Sequence, residues 1–267
     1  MTHYLNKKEA ELGEKLLKNG YVISKQKDLT HLNYIRNLIV EKSSKILKIS
    51  KPKDKDFENF LNNIHKKLSV KNLNKFRLEL IKYISDDKDF KRNYFYSARD
   101  LLFPLVGNEL AMQNSVGLSI QFPKDKSSLL PTHSDSWAGN SPFEVVVWIP
   151  LVNCFSTKSM YILKSSKSKK INDKFIRSKS NLDFYKSIKD DVEFIKINFG
   201  EVLIFNQNLP HGNITNQVNE TRWSMNCRFK SLYSPYSDKK LGEYFHPITL
   251  RVASKIGMQF ESPKTDD

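Results

Sequence analysis

Two short segments, well separated along the chain, hold residue types that bind metal ions. Pro-Thr-His-Ser-Asp contributes His133 and Asp135, and Pro-His-Gly-Asn contributes His211. Residues two apart in an extended segment point to the same face, so His133 and Asp135 can share one ion. Two imidazoles and one carboxylate on one side of a metal suit iron(II) and leave the opposite side open for reaction. We therefore predict His133, Asp135 and His211 as metal ligands and as the catalytic centre.

A strictly alternating segment at 221–229 presents one polar face. Arg222, Ser224, Asn226 and Arg228 share that face, and the other face is apolar. A surface strand would leave both arginines in water. In a strand that lines a cavity, a buried guanidinium needs an anion, and its planar donor fork fits a carboxylate with two parallel hydrogen bonds. The alternative to a surface strand is therefore a cavity wall, which is the arrangement expected for gripping one end of a dicarboxylate whose other end binds the metal.

The elements that must position these residues fall into two parts. The first part is mainly helical, because apolar positions recur at helical spacing in 5–19, 29–49, 57–68 and 72–84. Asn19-Gly20 is a plausible stop for the first helix, and Thr30 is a candidate cap for the second. Residues 21–23 predict a short strand between them, and the charged stretch 50–56 predicts a loop.

The second part is rich in strands. Runs of apolar residues alternating with polar ones predict strands at 112–123, 143–152, 160–163, 192–198, 201–206 and 222–229. The stretch PFEVVVWIPLV is apolar on both faces, which is typical of a strand inside a double-layered β structure. The fold class predicted is β with an α periphery, in which N-terminal helices flank a double-stranded β-helix core of the jelly-roll or cupin type.

The predicted domain organisation is a single domain over residues 1–260. Its parts are a mainly helical region at 1–105, a jelly-roll core at 106–235 and a C-terminal extension at 236–260. Residues 261–267 are predicted to form a flexible tail. A Lys- and Ser-rich insert at 164–190 is expected to be a surface loop or short helix.

The chain of 267 residues carries a net charge of +15, and residues 1–100 hold 23 Lys and Arg against 13 Asp and Glu. An anionic substrate, an acyl carrier, an anionic membrane surface or nucleic acid would each suit this excess. The favoured interpretation is a solvated surface of Lys- and Asn-rich composition. No nucleic-acid motif is interleaved with the basic residues, so no nucleic-acid partner is predicted.

The location predicted is cytoplasmic. No stretch approaches the roughly 18–20 apolar residues that a membrane span needs, and the N-terminus has no apolar region typical of a secretory signal. Cys154 and Cys227 lie in apolar, strand-like surroundings. They are predicted to be buried free thiols, as expected in a reducing compartment.

The order His-x-Asp, then His, then Arg-x-Ser resembles the iron(II)- and 2-oxoglutarate-dependent dioxygenases. HGNITNQVNETRWSMNCR is similar to a segment of their phytanoyl-CoA hydroxylase-like branch. HSDSWAGNSPFEVVVWIPLVNC is similar to members encoded with carbohydrate and surface-polysaccharide pathways. The resemblance covers roughly residues 110–232. SMYILKSSKS departs from the branch's usual Pro-Gly-Ser-His, which affects the neighbouring loop rather than the ligands.

The resemblance implies a role for each candidate residue. The predicted metal ligands would hold Fe(II), and Arg222 and Ser224 would bind the far carboxylate of the co-substrate 2-oxoglutarate. Gln121, Asn226 and Arg228 would contact co-substrate or substrate. The implied reaction uses O2 to hydroxylate an unactivated C–H bond of a small molecule. Its implied substrate is a carbohydrate, a surface-polysaccharide or natural-product precursor, or an anionic, sugar-linked compound.

Two other functions remain open from the residues. One is a metal-dependent sugar isomerase or epimerase of the cupin type, although such sites usually carry more histidines and have no need of Arg222 and Ser224. The other is a non-catalytic β-barrel binding protein, against which the complete ligand set and the arginine face weigh. The oligomeric state is left open, because no apolar surface stripe stands apart from the core.

Overall fold

A computed structural model describes residues 4–168 and 171–262 of the chain. Its first third is helical, as predicted, and further helices lie in the insert and in the C-terminal extension. The helices described are α1 (Lys7–Asn19), α2 (Thr30–Ile46), α3 (Phe57–Asn62), α4 (Val70–Asp86), α5 (Phe90–Val106), α6 (Ile171–Arg177), α7 (Asn181–Ile188) and α8 (Val252–Met258).

The strands form two antiparallel sheets. They are β1 (Tyr21–Lys25), β2 (Leu110–Gln113), β3 (Gly117–Gln121), β4 (Glu144–Pro150), β5 (Tyr161–Leu163), β6 (Val192–Phe194), β7 (Glu201–Asn206), β8 (His211–Gly212), β9 (Arg222–Ser231) and β10 (Phe245–Thr249). The larger sheet has the order β1-β7-β4-β9-β2-β10, and the smaller sheet has the order β6-β5-β8. Strand β9 also pairs with β3, through its first half, and with β2 through its second half.

The helices pack against the apolar face of the larger sheet. Trp223 on β9 is fully buried, donates its indole N–H to the carbonyl of Leu61 at 2.9 Å and meets the edge of Phe76. Tyr94 on α5 donates its hydroxyl proton to the carbonyl of Val147 at 2.9 Å. These contacts bury the apolar half of the alternating strand, so its polar half faces the opposite side of the sheet.

Local signals explain where the first elements begin and end. Gly20 adopts φ 82° and its N–H bonds to the carbonyl of Leu16, which ends α1 and turns the chain into β1. The predicted cap at Thr30 is wrong, because Thr30 is itself the first residue of α2. Asp28 instead accepts hydrogen bonds from the backbone N–H and the hydroxyl of Thr30.

The structure refines several predicted boundaries. The predicted strand 112–123 is divided into β2 and β3, and the predicted helix 57–68 into α3 and a single 3-10 turn at Ile64–Lys66. Helix α5 and strand β10 were not predicted. The insert holds α6 and α7, with residues 169 and 170 outside the described part. Most of the predicted tail, residues 263–267, also lies outside it.

The single-domain organisation stays a prediction, although strands β1 and β10 enter the larger sheet from outside the predicted core of 106–235. Cys154 and Cys227 are buried free thiols, as predicted. None of the helices described is long and apolar enough to cross a membrane.

Candidate metal centre

The backbone brings the three predicted ligands together. His133 and His211 form an antiparallel bridge in which each backbone N–H bonds to the other residue's carbonyl, at 3.0 and 2.8 Å. Ser134 is extended, and Asp135 begins a short 3-10 helix that ends at Ala138. One ligand atom from each of His133, Asp135 and His211 lies within 4.8 Å of the others. Three potential ligand atoms therefore converge at the junction of β8 with the segment before the 3-10 helix, close enough to hold a single metal ion.

Backbone carbonyls fix both imidazole rings. The Nδ1 atom of His133 lies 2.8 Å from the carbonyl oxygen of Pro131, and Nδ1 of His211 lies 2.9 Å from that of Leu209. A carbonyl oxygen only accepts, so each neutral ring carries its proton on Nδ1 and leaves Nε2 as a free lone pair. The ring centroids are 4.4 Å apart. Both rings are thus prepared to bind a metal through Nε2.

Asp135 is held by a guanidinium. Arg228 binds its carboxylate in two places, from Nη2 to Oδ1 at 2.7 Å and from Nε to Oδ2 at 3.2 Å. Nε2 of His133 lies 3.5 Å from Oδ1. Burial alone would raise the pKa of Asp135, but the hydrogen bond with His133 and the charges of His211 and Arg228 lower it well below its usual value. Asp135 is therefore an anion at any physiological pH.

The two histidines have opposite pKa shifts. Burial, followed by the charge of His133, lowers the pKa of His211 to about 4. Burial also acts to lower the pKa of His133, but its hydrogen bonds to Asp135 and Pro131 outweigh that effect and raise it. His211 is consequently neutral at physiological pH, as a metal ligand must be.

Arg228 was predicted to contact co-substrate or substrate, and the structure gives its guanidinium other partners. Besides Asp135, it donates to Oε1 of Gln207 at 3.3 Å, to Oε1 of Gln113 at 3.1 Å and to the hydroxyl of Tyr244 at 3.1 Å. The side chain still lines the cavity. Its donors, however, are used to orient Asp135 rather than being free for a ligand.

The guanidinium of Arg222, unlike that of Arg228, has few hydrogen-bond partners. It is 3% exposed, and within the described residues its only hydrogen bond runs from Nη2 to Oγ of Ser119 at 2.8 Å. Its Nε and the hydroxyl of the buried Ser224 have no partner. Burial lowers the pKa of Arg222 to about 10, so the group remains a cation at neutral pH. A buried cation and a buried hydroxyl without partners are costly unless an anion binds beside them.

A cavity of about 130 Å³ joins Arg222 to the three predicted ligands. Ser224 and Asn226 line it as the sequence predicted, together with an apolar wall. That wall is formed by Val146, Trp148, Met160 and Phe205. The polar face of β9 is therefore a cavity wall and not a solvent-exposed surface.

Gln121 does not line this cavity. It is fully buried opposite Arg222 on β3, and its amide donates to the carbonyl of Ile214 at 2.8 Å. Ser119, two residues earlier on the same strand, is the residue that reaches the cavity and Arg222. Ser119 and Gln121 lie two residues apart and therefore share one face of β3. The alternation of side chains predicts this shared face but not which of the two side chains reaches the cavity.

No sequence pattern identifies the groups that hold Arg228. Gln113, Gln207 and Tyr244 come from β2, from the turn after β7 and from the segment before β10. Only the antiparallel sheet brings these positions together, so their spacing along the chain carries no pattern.

No family model matches the chain, and no curated protein sequence matches it. The phytanoyl-CoA hydroxylase-like branch thus stays a prediction. Among solved structures, the chain is similar to the nickel complex of the non-heme monooxygenase ThoJ, with TM-score 0.56 and 13% identity over 96% of this chain and 89% of that chain. EctD from S. alaskensis with bound Fe gives TM-score 0.55 and 12% identity over 85% of this chain and 78% of that chain.

A third similar structure is SnoK, a non-heme alpha ketoglutarate dependent carbocyclase from nogalamycin biosynthesis. It gives TM-score 0.51 and 14% identity over 93% of this chain and 98% of that chain. At such identities the likeness concerns the backbone, and it confirms the predicted fold class. The chain therefore has the double-stranded β-helix fold found in these non-haem enzymes.

Proposed function

We propose that the protein is an iron(II)- and 2-oxoglutarate-dependent oxygenase that hydroxylates an unactivated C–H bond of a small molecule. One observation carries this proposal: the buried guanidinium of Arg222, whose one side-chain partner among the described residues is the neutral Ser119, lies in the same cavity as a His-Asp-His ligand set. A metal site alone fits many functions. A metal site with a buried cation across the cavity fits a ligand that has a metal-binding end and a distant carboxylate.

The chemistry of the donor set fits iron(II). Two imidazole Nε2 atoms and one carboxylate converge, and both rings are oriented by backbone carbonyls. Three protein ligands on one side leave coordination positions for a co-substrate and for oxygen. Here His133, Asp135 and His211 would hold the ion, and Arg228 would keep the carboxylate ionised and in place.

The unpaired groups fit 2-oxoglutarate. Its 2-oxo acid end suits a metal, and its other carboxylate suits a guanidinium and a hydroxyl. Arg222 and Ser224 would bind that carboxylate, with Ser119 holding the guanidinium from behind. When bound, iron(II), 2-oxoglutarate and oxygen supply an oxidant strong enough to remove hydrogen from a C–H bond. Val146, Met160 and the rest of the apolar wall exclude bulk water from the cavity.

A test of this function needs no known substrate. Purified protein is incubated in air with iron(II), ascorbate and 2-oxoglutarate, and succinate is measured over time. We expect slow succinate formation that requires all three additions and that is abolished in His211→Ala. An isomerase or a non-catalytic binding protein would form none, and absence of succinate in the iron-loaded protein would contradict the proposal.

Binding provides an independent measurement. Calorimetry with nickel(II) in place of iron(II) should give one 2-oxoglutarate site per chain. The metal should be required for tight binding, because the 2-oxo acid end has no other partner in the cavity. Binding of 2-oxoglutarate that is unaffected by metal removal would argue against this arrangement.

A further inference from the structure

A groove opens directly beside the metal cavity. It has a volume of about 570 Å³ and lies between α4, β3 and the segment 127–130. Ser119, Leu130 and Asn226 line both spaces. The groove therefore adjoins the cavity in which the predicted metal ligands and Arg222 lie.

The walls of the groove are mainly apolar and partly exposed. On α4, the lining residues recur at helical spacing, so a single face of the helix forms one wall: Val70, Leu73, Asn74, Arg77 and Ile81. Across the groove, Leu129 is 36% exposed and Leu130 is 47% exposed. Apolar side chains on both sides of a groove that leads to a reactive centre favour an apolar ligand.

Arg77 is the only charged residue among those that line the groove. Its Nη2 donates to Oδ1 of the neutral Asn74 at 2.9 Å. The described residues give it no ion pair, and the positions one turn away on α4 hold Leu73, Leu80 and Ile81 besides Asn74. A half-buried guanidinium in an apolar groove without acids favours an anion.

We propose that this groove binds the substrate, and that the substrate is an amphiphilic anion with an apolar body and one carboxylate or phosphate group. The anionic group binds Arg77, and the apolar body lies between α4 and Leu129. The far end of the body passes Asn226 and enters the metal cavity. This proposal rests on the proposed function for the reaction, but the binding itself needs neither metal nor 2-oxoglutarate.

Gly117 keeps the passage between the two spaces open. It lies opposite Asn226 in the pairing of β3 with β9, and a Cβ at Gly117 would overlap the amide of Asn226. Any larger residue at 117 must therefore displace that amide within the passage. The dimensions of the substrate near its reacting end are set by this pair.

The test uses the metal-free full chain and calorimetry with three probes of equal chain length. Dodecanoate and dodecyl phosphate represent the two anionic groups, and dodecyltrimethylammonium is the cation of similar shape. We expect binding of at least one anion and at least about tenfold weaker binding of the cation, since a charge-assisted hydrogen bond is lost. The anion bound more tightly identifies the group. Absence of anion binding, or equal binding of the cation, would overturn the proposal.

Variants assign the binding to the groove. Arg77→Gln should weaken anion binding about tenfold or more, and Lys75→Gln, which removes a charge from an exposed position of the same helix, should leave it unchanged. Leu129→Glu should also weaken it, by placing an acid beside the apolar body. Equal weakening of anion binding by Arg77→Gln and Lys75→Gln would show that binding depends on net charge alone. That result would overturn the assignment to the groove.

One variant distinguishes failure of the proposed oxygenase function from failure of the proposed substrate groove. Arg222→Gln should weaken 2-oxoglutarate binding to the nickel-loaded protein by about 10- to 100-fold and leave anion binding in the groove intact. Loss of dodecanoate or dodecyl phosphate binding in Arg222→Gln would show that the probe binds at Arg222 and not at Arg77. That result would overturn the groove assignment.

Discussion

Two arginines on one face of β9 have different surroundings, and the difference defines the site at the scale of residues. Arg228 uses its donors on Asp135, Gln207, Gln113 and Tyr244. Arg222 has one neutral partner and an unpaired Nε. The first stabilises a charge that belongs to the protein, and the second has no acidic partner among the described residues, as the proposed role in binding a carboxylate requires.

Arg222 should therefore control the affinity for 2-oxoglutarate. We predict that Arg222→Gln weakens binding of 2-oxoglutarate to the nickel-loaded protein by about 10- to 100-fold, the value of one charge-assisted bidentate contact. Calorimetry measures the change. Arg177→Gln, at an exposed position on α6, is the matched control and should have no effect; unchanged affinity in Arg222→Gln would refute the assignment.

The lowered pKa of His211 should make the metal-free protein sensitive to acid. The pKa of a histidine in an unfolded chain is about 6.5, and the pKa of His211 in the folded protein is about 4. Between these values the unfolded chain binds a proton that the folded protein does not. The stability contributed by neutral His211 is thus present above pH about 6.5 and is lost as the pH falls towards 4.

We predict a loss of up to about 3 kcal/mol in unfolding free energy from this residue over that range. The raised pKa of His133 changes the unfolding free energy in the opposite direction over the same pH range. The effect of His211 is therefore measured as the difference between the natural sequence and a variant. Urea unfolding at pH 7 and at pH 4.5 should show a smaller pH effect in His211→Gln than in the natural sequence. The same pH effect in both proteins would contradict the prediction.

The sequence predicted the residues of the centre better than their partners. His133, Asp135, His211, Arg222 and Ser224 could be predicted as one site because donor type and alternation are properties of short segments, and the structure places all five around one cavity. Arg228 was found as a cavity residue, but its contact with Asp135 depends on how β9 faces the 3-10 helix. No short-range pattern records such a contact between distant segments.

At the scale of elements, the short strand β8 determines where His211 lies. It pairs with β5, with Gly212 opposite Tyr161 and His211 opposite Ile162. A Cβ at Gly212 would lie 2.7 Å from the Tyr161 hydroxyl and 2.9 Å from the carbonyl oxygen of Leu130. Close packing of Gly212 against the Tyr161 hydroxyl and the Leu130 backbone therefore sets the position of the neighbouring His211.

We predict that Gly212→Ala destabilises the protein by about 1–3 kcal/mol, because the Tyr161 side chain and the Leu130 carbonyl must both move. It should also weaken nickel(II) binding, since the displaced strand carries His211. Urea unfolding and nickel titration measure the two effects. Gly13→Ala is the matched control: α1 has open space at that position, so alanine should raise stability by about 0.5–1 kcal/mol and leave nickel affinity unchanged.

Periodicity identified most elements, and the elements it missed have physical reasons. The predicted strand at 201–206 agrees with β7 residue for residue. Helix α5 was missed because Pro104 lies in its last turn, where a sequence pattern predicts a helix end. Strand β10 contains Pro247 and lies at the edge of the larger sheet, where a missing N–H is tolerated but the sequence signal is weak.

At the scale of the whole molecule, the helices and the larger sheet share one apolar core. Trp223 joins β9 to the carbonyl of Leu61, and Tyr94 joins α5 to β4. The helices therefore support the back of the wall whose front lines the metal cavity. The single-domain organisation stays a prediction, and this packing is the kind of contact that it requires.

We predict that helices and sheets unfold in one cooperative transition. Trp148 and Trp223 are buried in the larger sheet, so tryptophan fluorescence follows the sheet, and far-ultraviolet circular dichroism follows mainly the helices. Urea transitions from both probes should coincide. A helical transition at clearly lower urea concentration would instead indicate two units.

The backbone bridge between His133 and His211 has a consequence for the choice of metal ion. Because reciprocal peptide hydrogen bonds set the spacing of the two imidazoles, these ligands cannot separate to suit an ion of larger radius without opening the sheet edge. Asp135 begins a short 3-10 helix, and among the described residues its carboxylate contacts only the side chains of Arg228 and His133, so it is the ligand that adjusts. Discrimination between divalent ions of different radius therefore depends on the reach of one carboxylate.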